Sequence, residues 1–234
     1  MTGRRFLTNS PADADTLIIA GEEYHHLVRV MRARTGMEIE AVNGCGDWFL
    51  ARITRLGQGR VEAVILQRRH EEQHPARLVL APSILKKRPM DLMLEKLCEL
   101  GVDEIRPICF ARSDTDCPEE IPERWLRVAR QSIKVNRRLR PTRITAPQSL
   151  DSLLSGGTEM AGRVVLEITG RPVPPDLSLD PVLCVIGPPG DFTPEERTAL
   201  QAAGFFPWRL NPGVLRSETA AIAAAAVLRQ RTTA

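Results

Sequence analysis

The sequence predicts an α/β protein in which a small β-rich N-terminal domain precedes a larger domain built around a mostly parallel sheet. Short β-prone runs separated by glycine turns occupy residues 1–72. From residue 78 onward, short apolar runs alternate with helical patterns, which is typical of a parallel sheet. A polar, charged stretch at residues 67–76 separates the two patterns and is interpreted as a linker. We therefore expect domains at residues 1–72 and 73–234.

The N-terminal domain is expected to be a small β-barrel. The turn Asn43–Asp47 is rich in glycine and lies between Val42 and the β-prone run Trp48–Ile53, which predicts a hairpin. Arg60–Leu66 has the alternation of another strand. Several short strands joined by glycine turns favour a barrel. One helix is predicted at Glu22–Arg32, where apolar residues recur at helical spacing.

Apolar runs and helical patterns define the second domain. The predicted strands are Leu78–Ala81, Ile105–Phe110, Val164–Ile168 and Val182–Ile186. The predicted helices are Met90–Leu100, Glu123–Val135, Pro194–Ala203 and Ser217–Arg229. Gly101 is a candidate C-cap of the first of these helices. Thr193 and Glu196 form a predicted capping box at the third.

Composition narrows the class of protein. The 234 residues carry a net charge of +3 and a pI near 8.7, a mildly basic balance that alone does not establish nucleic-acid binding. The five cysteines are odd in number and contain no C-x-x-C pair, which argues against a zinc ribbon or a disulfide framework and favours a reducing compartment. An apolar run of about 18 residues and a signal-peptide pattern are both absent from the sequence. We expect a cytoplasmic protein with no membrane partner.

Residues 70–74 read His-Glu-Glu-Gln-His, which matches the H-E-x-x-H pattern of zinc proteases. That motif needs a stable helix that carries both histidines, together with a third ligand. The neighbouring residues are polar and Pro75 follows at once, so a linker is the favoured interpretation and no metal is expected. The alternative, a metalloprotease, would contain stoichiometric zinc.

The strongest local motif runs from Val182 to Glu196. A buried strand leads into the loop Gly187-Pro188-Pro189-Gly190-Asp191-Phe192 and then into a capped helix. Loops at the carboxyl ends of parallel strands bind ligands in α/β proteins, and glycine lets backbone amides approach a flat ligand. The loop has neither the spacing of a P-loop nor that of a dinucleotide fingerprint. The local pattern fits both a ligand-binding loop and an ordinary strand-to-helix turn.

A second motif runs from Leu210 to Ala220 and leads into an alanine-rich helix. Asn-Pro-Gly at 211–213 forms a loop, Ser217 is a candidate helix cap, and Glu218 lies favourably in the first turn. The small side chains of residues 221–226 permit close backbone contact. A plain C-terminal helix of high propensity has the same composition.

In this order, the two motifs resemble the RsmE-type family of 16S ribosomal RNA uridine N3-methyltransferases, within the SPOUT class of knotted methyltransferases. The family pattern is roughly I-G-P-E-G-G-F, followed by L-G-x-x-[IV]-L-R-x-E-T-A. This chain has Ile186–Phe192, then Leu210 and Val214–Ala220. Further agreement lies at residues 25–32, 96–102, 112–113 and 166–167, so the resemblance covers nearly the whole chain.

The resemblance implies a C-terminal trefoil-knotted α/β domain, a small PUA-like barrel that binds RNA, and a homodimer. It also implies S-adenosylmethionine as cofactor and 16S rRNA or the small ribosomal subunit as partner. The adenine is expected to lie against apolar side chains. The residues expected to bind the cofactor are Leu166, Glu167, Gly187, Pro188, Gly190, Leu210, Val214, Leu215 and Ser217.

The implied reaction needs a proton acceptor, because N3 of uracil is protonated at neutral pH. Arg216 is expected to stabilise the anion that develops, by its position in the L-R-x-E-T-A string. Glu218 is the expected catalytic carboxylate, and either Glu218 or Asp191 could accept the proton or orient Arg216. The alternatives are a dimer salt bridge or a helix-start contact for Arg216, and a capping role alone for Glu218.

Two departures from the family pattern affect the first loop. Pro189 stands where the family has Glu, and Asp191 stands where it has the second Gly. An acidic group is therefore kept near the loop but moved by two residues. These changes leave two alternatives open: an inactive RNA-binding ribosome-assembly factor, and a knotted methyltransferase for another rRNA or tRNA position.

Arginine clusters predict contacts with RNA phosphates, because the planar guanidinium group donates bidentately. A solvated charged face is the alternative for any single residue, and Arg88 is expected in a loop. The residues expected to bind RNA are Arg4, Arg5, Arg29, Arg32, Arg34, Arg88, Arg112, Arg137 and Arg138.

Overall fold

The computed structural model describes residues 5–57, 59–113, 115–156, 160–175 and 177–232. Contacts divide the chain into two units, one formed by Met1–His74 with Arg130–Pro141 and the other by Pro75–Ala129 with Thr142–Ala234. The first unit therefore includes a segment that the sequence analysis assigns to the second domain. The sequence-based boundary between residues 72 and 73 stays a prediction.

The first unit is built on a five-stranded sheet with the order β1-β3-β4-β5-β2. Its strands are β1 (Arg5–Leu7), β2 (Thr16–Ala20), β3 (Glu38–Val42), β4 (Asp47–Gly57) and β5 (Arg60–His70). The predicted hairpin is confirmed, since β3 and β4 pair antiparallel. Its turn is held by Asn43, whose Oδ1 accepts from the amides of Cys45 at 2.8 Å and Asp47 at 3.2 Å.

Side chains join the two outer strands of this sheet. Thr8, which follows β1, donates its hydroxyl to the carbonyl oxygen of Ile18 in β2 at 3.0 Å. The hydroxyl oxygen of Ser10 accepts from the amide of Ile18 at 2.9 Å. Both hydroxyl residues are buried, so these bonds satisfy polar groups that would otherwise be costly to bury. These bonds connect the two outer strands of the sheet, as expected for the small barrel that the sequence predicts.

The helix predicted at Glu22–Arg32 is shorter and less regular than expected. An α-helix, α1, spans Gly21–His25 and continues as a π-helical turn over His26–Val30. Arg32 follows with a left-handed backbone, φ 50°, which ends the segment. Leu27 is fully buried in the barrel core, so packing rather than helix propensity holds the turn in place.

The predicted linker at residues 67–76 is wrong in its first part. β5 continues to His70 and pairs with β4 as far as Asp47, so residues 67–70 belong to the sheet. His70 Nδ1 lies 2.6 Å from Asp47 Oδ1. His70 is the last residue of a strand and His74 lies outside any helix or strand, so the two histidines do not share a helix face.

The second unit is built on a six-stranded parallel sheet with the order β13-β11-β12-β6-β7-β9. Its strands are β6 (Leu78–Pro82), β7 (Glu104–Ile105), β9 (Arg143–Ile144), β11 (Gly162–Arg171), β12 (Val182–Ile186) and β13 (Phe206–Trp208). A separate parallel pair is formed by β8 (Ile108–Cys109) and β10 (Gln148–Ser149).

The single strand predicted at Ile105–Phe110 is wrong. It divides into β7 and β8, which belong to different sheets. Pro107 lies between them and has no amide hydrogen, so it cannot continue a ladder. The chain bends at this proline. Before it, the amide of Arg106 donates to the carbonyl oxygen of Leu80 in the large sheet at 2.8 Å. After it, Ile108 pairs with β10 in the separate two-stranded sheet.

The predicted helices are confirmed with small shifts at their ends. They are α2 (Lys87–Glu99), α3 (Glu123–Asn136), α5 (Pro194–Ala202) and α6 (Ser217–Thr232), with an additional α4 (Leu150–Ser155). Gly101 follows α2 with φ 75°, the left-handed conformation typical of a helix C-terminus. Arg88 lies in the first turn of α2 and not in a loop.

The central strands of the parallel sheet separate two hydrophobic cores. In β6, Leu78 and Leu80 pack into one core, while Val79 and Ala81 pack into the other. Every residue of β6 and β12 is buried, as expected for strands covered on both faces. The first core includes residues of α2 and α6, and the second includes Leu200 of α5.

The expectation that the scattered cysteines form no disulfide framework is corrected at one pair: Cys109 and Cys117, whose Cα atoms lie 5.6 Å apart, form a disulfide bond. The bond closes the segment that contains Arg112. Cys45 is exposed, and Cys98 and Cys184 are buried with free thiols. No helix in the described part of the chain is both long and apolar enough to span a membrane.

Candidate functional site

The loop that follows β12 lies at the carboxyl edge of the parallel sheet. The carbonyl oxygen of Ile186, the last residue of β12, accepts from the amide of Ser83 at 2.9 Å, so the segments after β12 and β6 leave the sheet side by side. The predicted capping box ends the loop: Thr193 Oγ1 accepts from Glu196 N at 3.2 Å, and Glu196 Oε2 accepts from Thr193 N at 2.8 Å. Ligands bind at this edge in open α/β sheets.

The second motif connects β13 to α6. The Asn211 side chain donates to the carbonyl oxygen of Gly213 at 3.4 Å within the Asn-Pro-Gly turn. The Ser217 hydroxyl donates to the carbonyl oxygen of Gly187 at 3.0 Å. Ser217 therefore ties the second motif to the first loop, which replaces the helix-capping role expected from the sequence.

The two motifs enclose a cavity of about 660 Å³ within the second unit. This volume lies in the range of small-molecule sites, about 300–1,000 Å³. The walls are mostly apolar, and the carboxylates of Glu167, Asp191 and Glu218 line them together with Arg216. The two motifs, each of which was expected to contribute cofactor-binding residues, therefore line one cavity.

The cavity brings together nearly all the residues expected to bind the cofactor or to act in catalysis. Every residue expected to bind the cofactor lines it except Gly190, and the expected catalytic pair Arg216 and Glu218 lines it as well. Arg216 is exposed and Glu218 is half-buried. Among the described residues, neither of these two side chains has a hydrogen-bond or ion-pair partner, so both can reach a ligand. The roles of these residues stay predictions.

Gly190 faces Arg112 instead of the cavity. A Cβ at Gly190 would lie 3.0 Å from Arg112 Cβ and 3.2 Å from its carbonyl oxygen, so glycine permits the close approach of the two segments. Arg112 Nη1 donates to the carbonyl oxygens of Gly190 at 3.3 Å and Phe192 at 3.4 Å. Arg112, expected to contact RNA, thus holds the loop.

Asp191 adopts a left-handed backbone conformation, with φ 63°. Aspartate is one of the few non-glycine residues that tolerate this region. Its Oδ1 accepts from the amide of Phe192 at 2.8 Å, and its Oδ2 accepts from Arg197 at 2.5 Å. The hydrogen bond to Asp191 raises the pKa of the Arg197 guanidinium above its ordinary value. Aspartate at this position therefore adopts a conformation that is ordinarily favourable only for glycine.

Gly187 needs its small size because Phe192 lies against it. A Cβ at Gly187 would lie 2.8 Å from Phe192 Cζ. The Phe192 ring is 1% exposed and packs edge-on against Phe110, with ring centroids 5.3 Å apart. The loop therefore folds back over its own first residue and is anchored in the core beneath the sheet edge.

Part of the cavity wall is formed by residues that no sequence motif indicated. Leu85 and Pro89 reach it from the segment after β6 and the start of α2, and Trp208 reaches it from β13. Leu85 follows the strand that neighbours β12, so knowledge of the strand order would have identified it. That order depends on pairing between strands about a hundred residues apart in sequence, which no local pattern carries.

The arginines expected to bind RNA differ in their surroundings. Arg4 lies outside the described residues. The Arg5 side chain is 9% exposed, lies 3.6 Å from Glu40, and donates to the carbonyl oxygen of Arg138 at 3.3 Å, so it is a structural residue. Burial lowers the pKa of Arg5. Arg138 is half-buried. The exposed members are Arg29, Arg32, Arg34, Arg88, Arg112 and Arg137.

Comparison with known families decides the class of the protein. The family model for the RNA methyltransferase domain matches residues 72–229, and that for the RNA methyltransferase PUA domain matches residues 19–66. The chain belongs to this RNA methyltransferase family. The predicted fold class, an α/β domain with an N-terminal PUA-like domain, is confirmed, and the trefoil knot within it stays a prediction.

Individual relatives extend along almost the whole chain. The Ribosomal RNA small subunit methyltransferase E of Bacillus subtilis is 26% identical over 238 residues, which cover 94% of this chain and 92% of that protein. The protein of the same name from Aquifex aeolicus is 27% identical over 91% of this chain and 93% of its own length. The resemblance to the RsmE-type family is confirmed.

A solved structure agrees with the fold. The Ribosomal RNA small subunit methyltransferase E of Neisseria gonorrhoeae, bound to S-adenosyl methionine, matches with a TM-score of 0.84 at 25% identity. The match covers 98% of each chain, so both units have counterparts in that structure.

Proposed function

We propose that this RNA methyltransferase transfers a methyl group from S-adenosylmethionine to N3 of a uridine in the 16S rRNA of the small ribosomal subunit. The observation that carries the proposal is the cavity that Gly187–Phe192 and Leu210–Ser217 enclose at the carboxyl edge of the sheet. The S-adenosyl methionine bound to the relative from Neisseria gonorrhoeae supports the cofactor. The names of the curated relatives support the substrate.

The residues of the cavity fit this methyl donor. Leu166, Leu210 and Leu215 form an apolar wall suited to an adenine ring. The donor is cationic, and the Glu218 carboxylate, which has no ion-pair partner among the described residues, favours a cation at the wall. The carboxylates of Glu167 and Asp191 are already paired with Arg197. When bound, the donor supplies a methyl group that its sulfonium has already activated.

The chain's own residues then position the uracil and remove its N3 proton. The Arg216 side chain is exposed at the cavity and has no hydrogen-bond or ion-pair partner among the described residues, so it can stabilise the negative charge that develops on the uracil. Both carboxylate oxygens of Asp191 are engaged, by Phe192 and Arg197. Glu218 is therefore the better candidate to accept the proton.

The family resemblance also supports proposals about the knot, the oligomeric state, the compartment and the RNA contacts of this chain. We assign to this chain a trefoil knot in the second unit, a homodimer in the cytoplasm, and contacts between exposed arginines of the first unit and RNA phosphates. An inactive assembly factor is the second candidate, and the S-adenosyl methionine bound to the relative from Neisseria gonorrhoeae favours the enzyme over it.

The experiment that tests the proposal is mass mapping of methylated nucleotides in rRNA from a strain that lacks this protein. We expect one methylated uridine of 16S rRNA to disappear, and to return when the wild-type chain is supplied. Loss of a methyl group elsewhere in rRNA or tRNA would assign the chain to a different target. Unchanged rRNA and tRNA, with no binding of S-adenosylmethionine by the purified protein, would support the assembly factor.

Purified protein and unmethylated RNA would identify the form of the substrate. Free 16S rRNA and assembled small subunits, both from the deletion strain, are incubated with the protein and labelled S-adenosylmethionine. Label confined to one of the two substrates identifies it, and digestion to nucleosides identifies the methylated atom. Label at any atom other than N3 of uridine contradicts that part of the proposal.

A further inference from the structure

Arg197 joins two separate segments of the cavity wall. It lies in the first turns of α5, and its guanidinium donates Nε to Glu167 Oε1 at 3.2 Å and Nη2 to Asp191 Oδ2 at 2.5 Å. A third donation, from Nη1, reaches the carbonyl oxygen of Phe192 at 3.2 Å. Glu167 belongs to β11, whereas the other two acceptors belong to the loop after β12. One planar guanidinium thus links a strand to a loop.

Arg197 does not line the cavity itself, but the residues that it contacts do. Glu167, Asp191 and Phe192 line the cavity, whereas Arg197 is absent from its wall. The Glu167 side chain is 16% exposed, so its carboxylate sits in a partly desolvated position that favours a cationic partner. Arg197 supplies that partner and also fixes where the carboxylate points.

The loop conformation at Asp191 needs support from its contacts. Aspartate tolerates the left-handed region better than most residues but occupies it less readily than glycine. That conformation persists where several contacts determine it together. The Asp191 carboxylate accepts hydrogen bonds from the amide of Phe192, the next residue in the chain, and from the guanidinium of Arg197 in α5. Both contacts hold the residue in this conformation.

We propose that Arg197 is a positioning residue that locks the loop Gly187–Phe192 to Glu167 and so preforms the cavity for the methyl donor. This inference rests on the proposed function, and it gives a role to the aspartate that replaces the family's second glycine. A preformed loop binds its ligand without paying the ordering entropy at that moment. Arg197 therefore acts on donor affinity and leaves the methyl-transfer step itself to other residues.

The test measures the ligand-free loop and donor-site binding in parallel. Hydrogen exchange of the peptide containing residues 187–192 reports on the loop, and calorimetry with S-adenosylhomocysteine, which has no methyl group to transfer, reports on the site. We expect Arg197→Met to speed exchange in this peptide and to weaken binding about tenfold, because charge-assisted hydrogen bonds are lost. Arg197→Lys should recover part of the affinity, since an ammonium keeps charge but lacks the planar fork.

Arg231→Met is the matched control, because Arg231 also lies on a helix of the second unit and donates to a carbonyl oxygen, that of Pro175, at 3.1 Å. It should leave loop exchange and S-adenosylhomocysteine binding unchanged. With substrate RNA, Arg197→Met should raise the KM for S-adenosylmethionine and change kcat by less than about twofold. Asp191→Gly should add little to Arg197→Met, because the two residues act through one contact.

The outcomes separate the two proposals. If wild-type protein fails to bind S-adenosylhomocysteine, the proposed function fails and this inference fails with it. If the wild type binds and Arg197→Met binds equally well with unchanged loop exchange, the positioning role alone is overturned. A fall in melting temperature without any change in affinity would also overturn it, because it would make Arg197 a purely structural residue.

Discussion

The Ser217 hydroxyl donates to the carbonyl oxygen of Gly187 at 3.0 Å, across 30 positions of sequence. This hydrogen bond joins the start of α6 to the end of β12. Among the described residues, it is the one hydrogen bond that joins the two sequence motifs. The geometry of the cavity therefore depends on it.

Ser217→Ala should weaken S-adenosylhomocysteine binding by about threefold to tenfold, because one hydrogen bond that holds the two loops together is lost. The free energy of unfolding should fall by about 1 kcal/mol. Calorimetry and urea denaturation measure the two effects. Equal affinity in the variant and the wild type would show that the loops meet without this bond.

Gly187→Ala should destabilise the loop, because the new methyl group would lie 2.8 Å from Phe192 Cζ, and that ring is buried against Phe110. We expect a loss of about 1–3 kcal/mol in unfolding free energy, as for overpacked cores, together with weaker donor binding. Gly213→Ala is the control in the other wall of the cavity, since its nearest neighbour would be Asn211 Nδ2 at an ordinary 3.5 Å. Equal denaturation midpoints for the two variants would contradict the close packing at Gly187.

Arg216→Ala should reduce methyl transfer by about 100-fold while changing donor binding little, because Arg216 is expected to act on the charge that develops on the uracil. Arg216→Lys should restore only part of the rate, since it keeps the charge without the planar fork. Single-turnover rates and calorimetry with S-adenosylhomocysteine measure these effects. Equal losses of rate and binding would assign Arg216 a structural role.

The exposed arginines of the first unit should control RNA affinity through salt-dependent contacts. Replacing Arg29 or Arg137 with Gln should reduce the slope of log affinity against log salt by about 0.7–0.9 for each phosphate contact removed. Arg5→Met should instead lower stability, because Arg5 is buried against Glu40. Filter binding at several salt concentrations tests this. An unchanged slope would place the RNA on another surface.

Thiol titration checks the cysteine arrangement. The protein purified without reductant should offer one fast-reacting thiol, Cys45, and two more after unfolding, Cys98 and Cys184. Burial raises the pKa of the Cys184 thiol, which further suppresses the reactive thiolate. Reduction of the disulfide should then add two further thiols, those of Cys109 and Cys117. Three fast thiols before reduction would mean that the disulfide is open in the purified protein.

Local chemistry explains which features the sequence predicts well. β12 has the predicted bounds, Val182–Ile186, because a five-residue apolar run has few alternatives to a buried strand. The capping box at Thr193 and Glu196 forms as predicted, because its partners lie within one helical turn. The hairpin at Asn43–Asp47 forms because the Asn43 side chain itself holds the turn.

Features that depend on distant pairing were not predicted. The two-residue strand β9 carries no strand pattern of its own and exists through its pairing with β7, Glu104 with Arg143. The candidate cavity likewise includes residues that only the strand order brings to it. The motifs indicated the loops at Gly187 and Leu210, whereas Leu85 reaches the cavity only because β6 is the neighbour of β12.

The division of the chain has a consequence for its synthesis. The first unit contains residues 130–141, and Ile133 from this segment is fully buried with Leu7 and Val42. Lys134 likewise pairs with Glu23 at 2.6 Å. During translation the barrel cannot complete its core when residue 74 emerges, but only after the polypeptide up to Pro141 has left the ribosome. An N-terminal fragment cut at His74 should therefore expose apolar surface and aggregate.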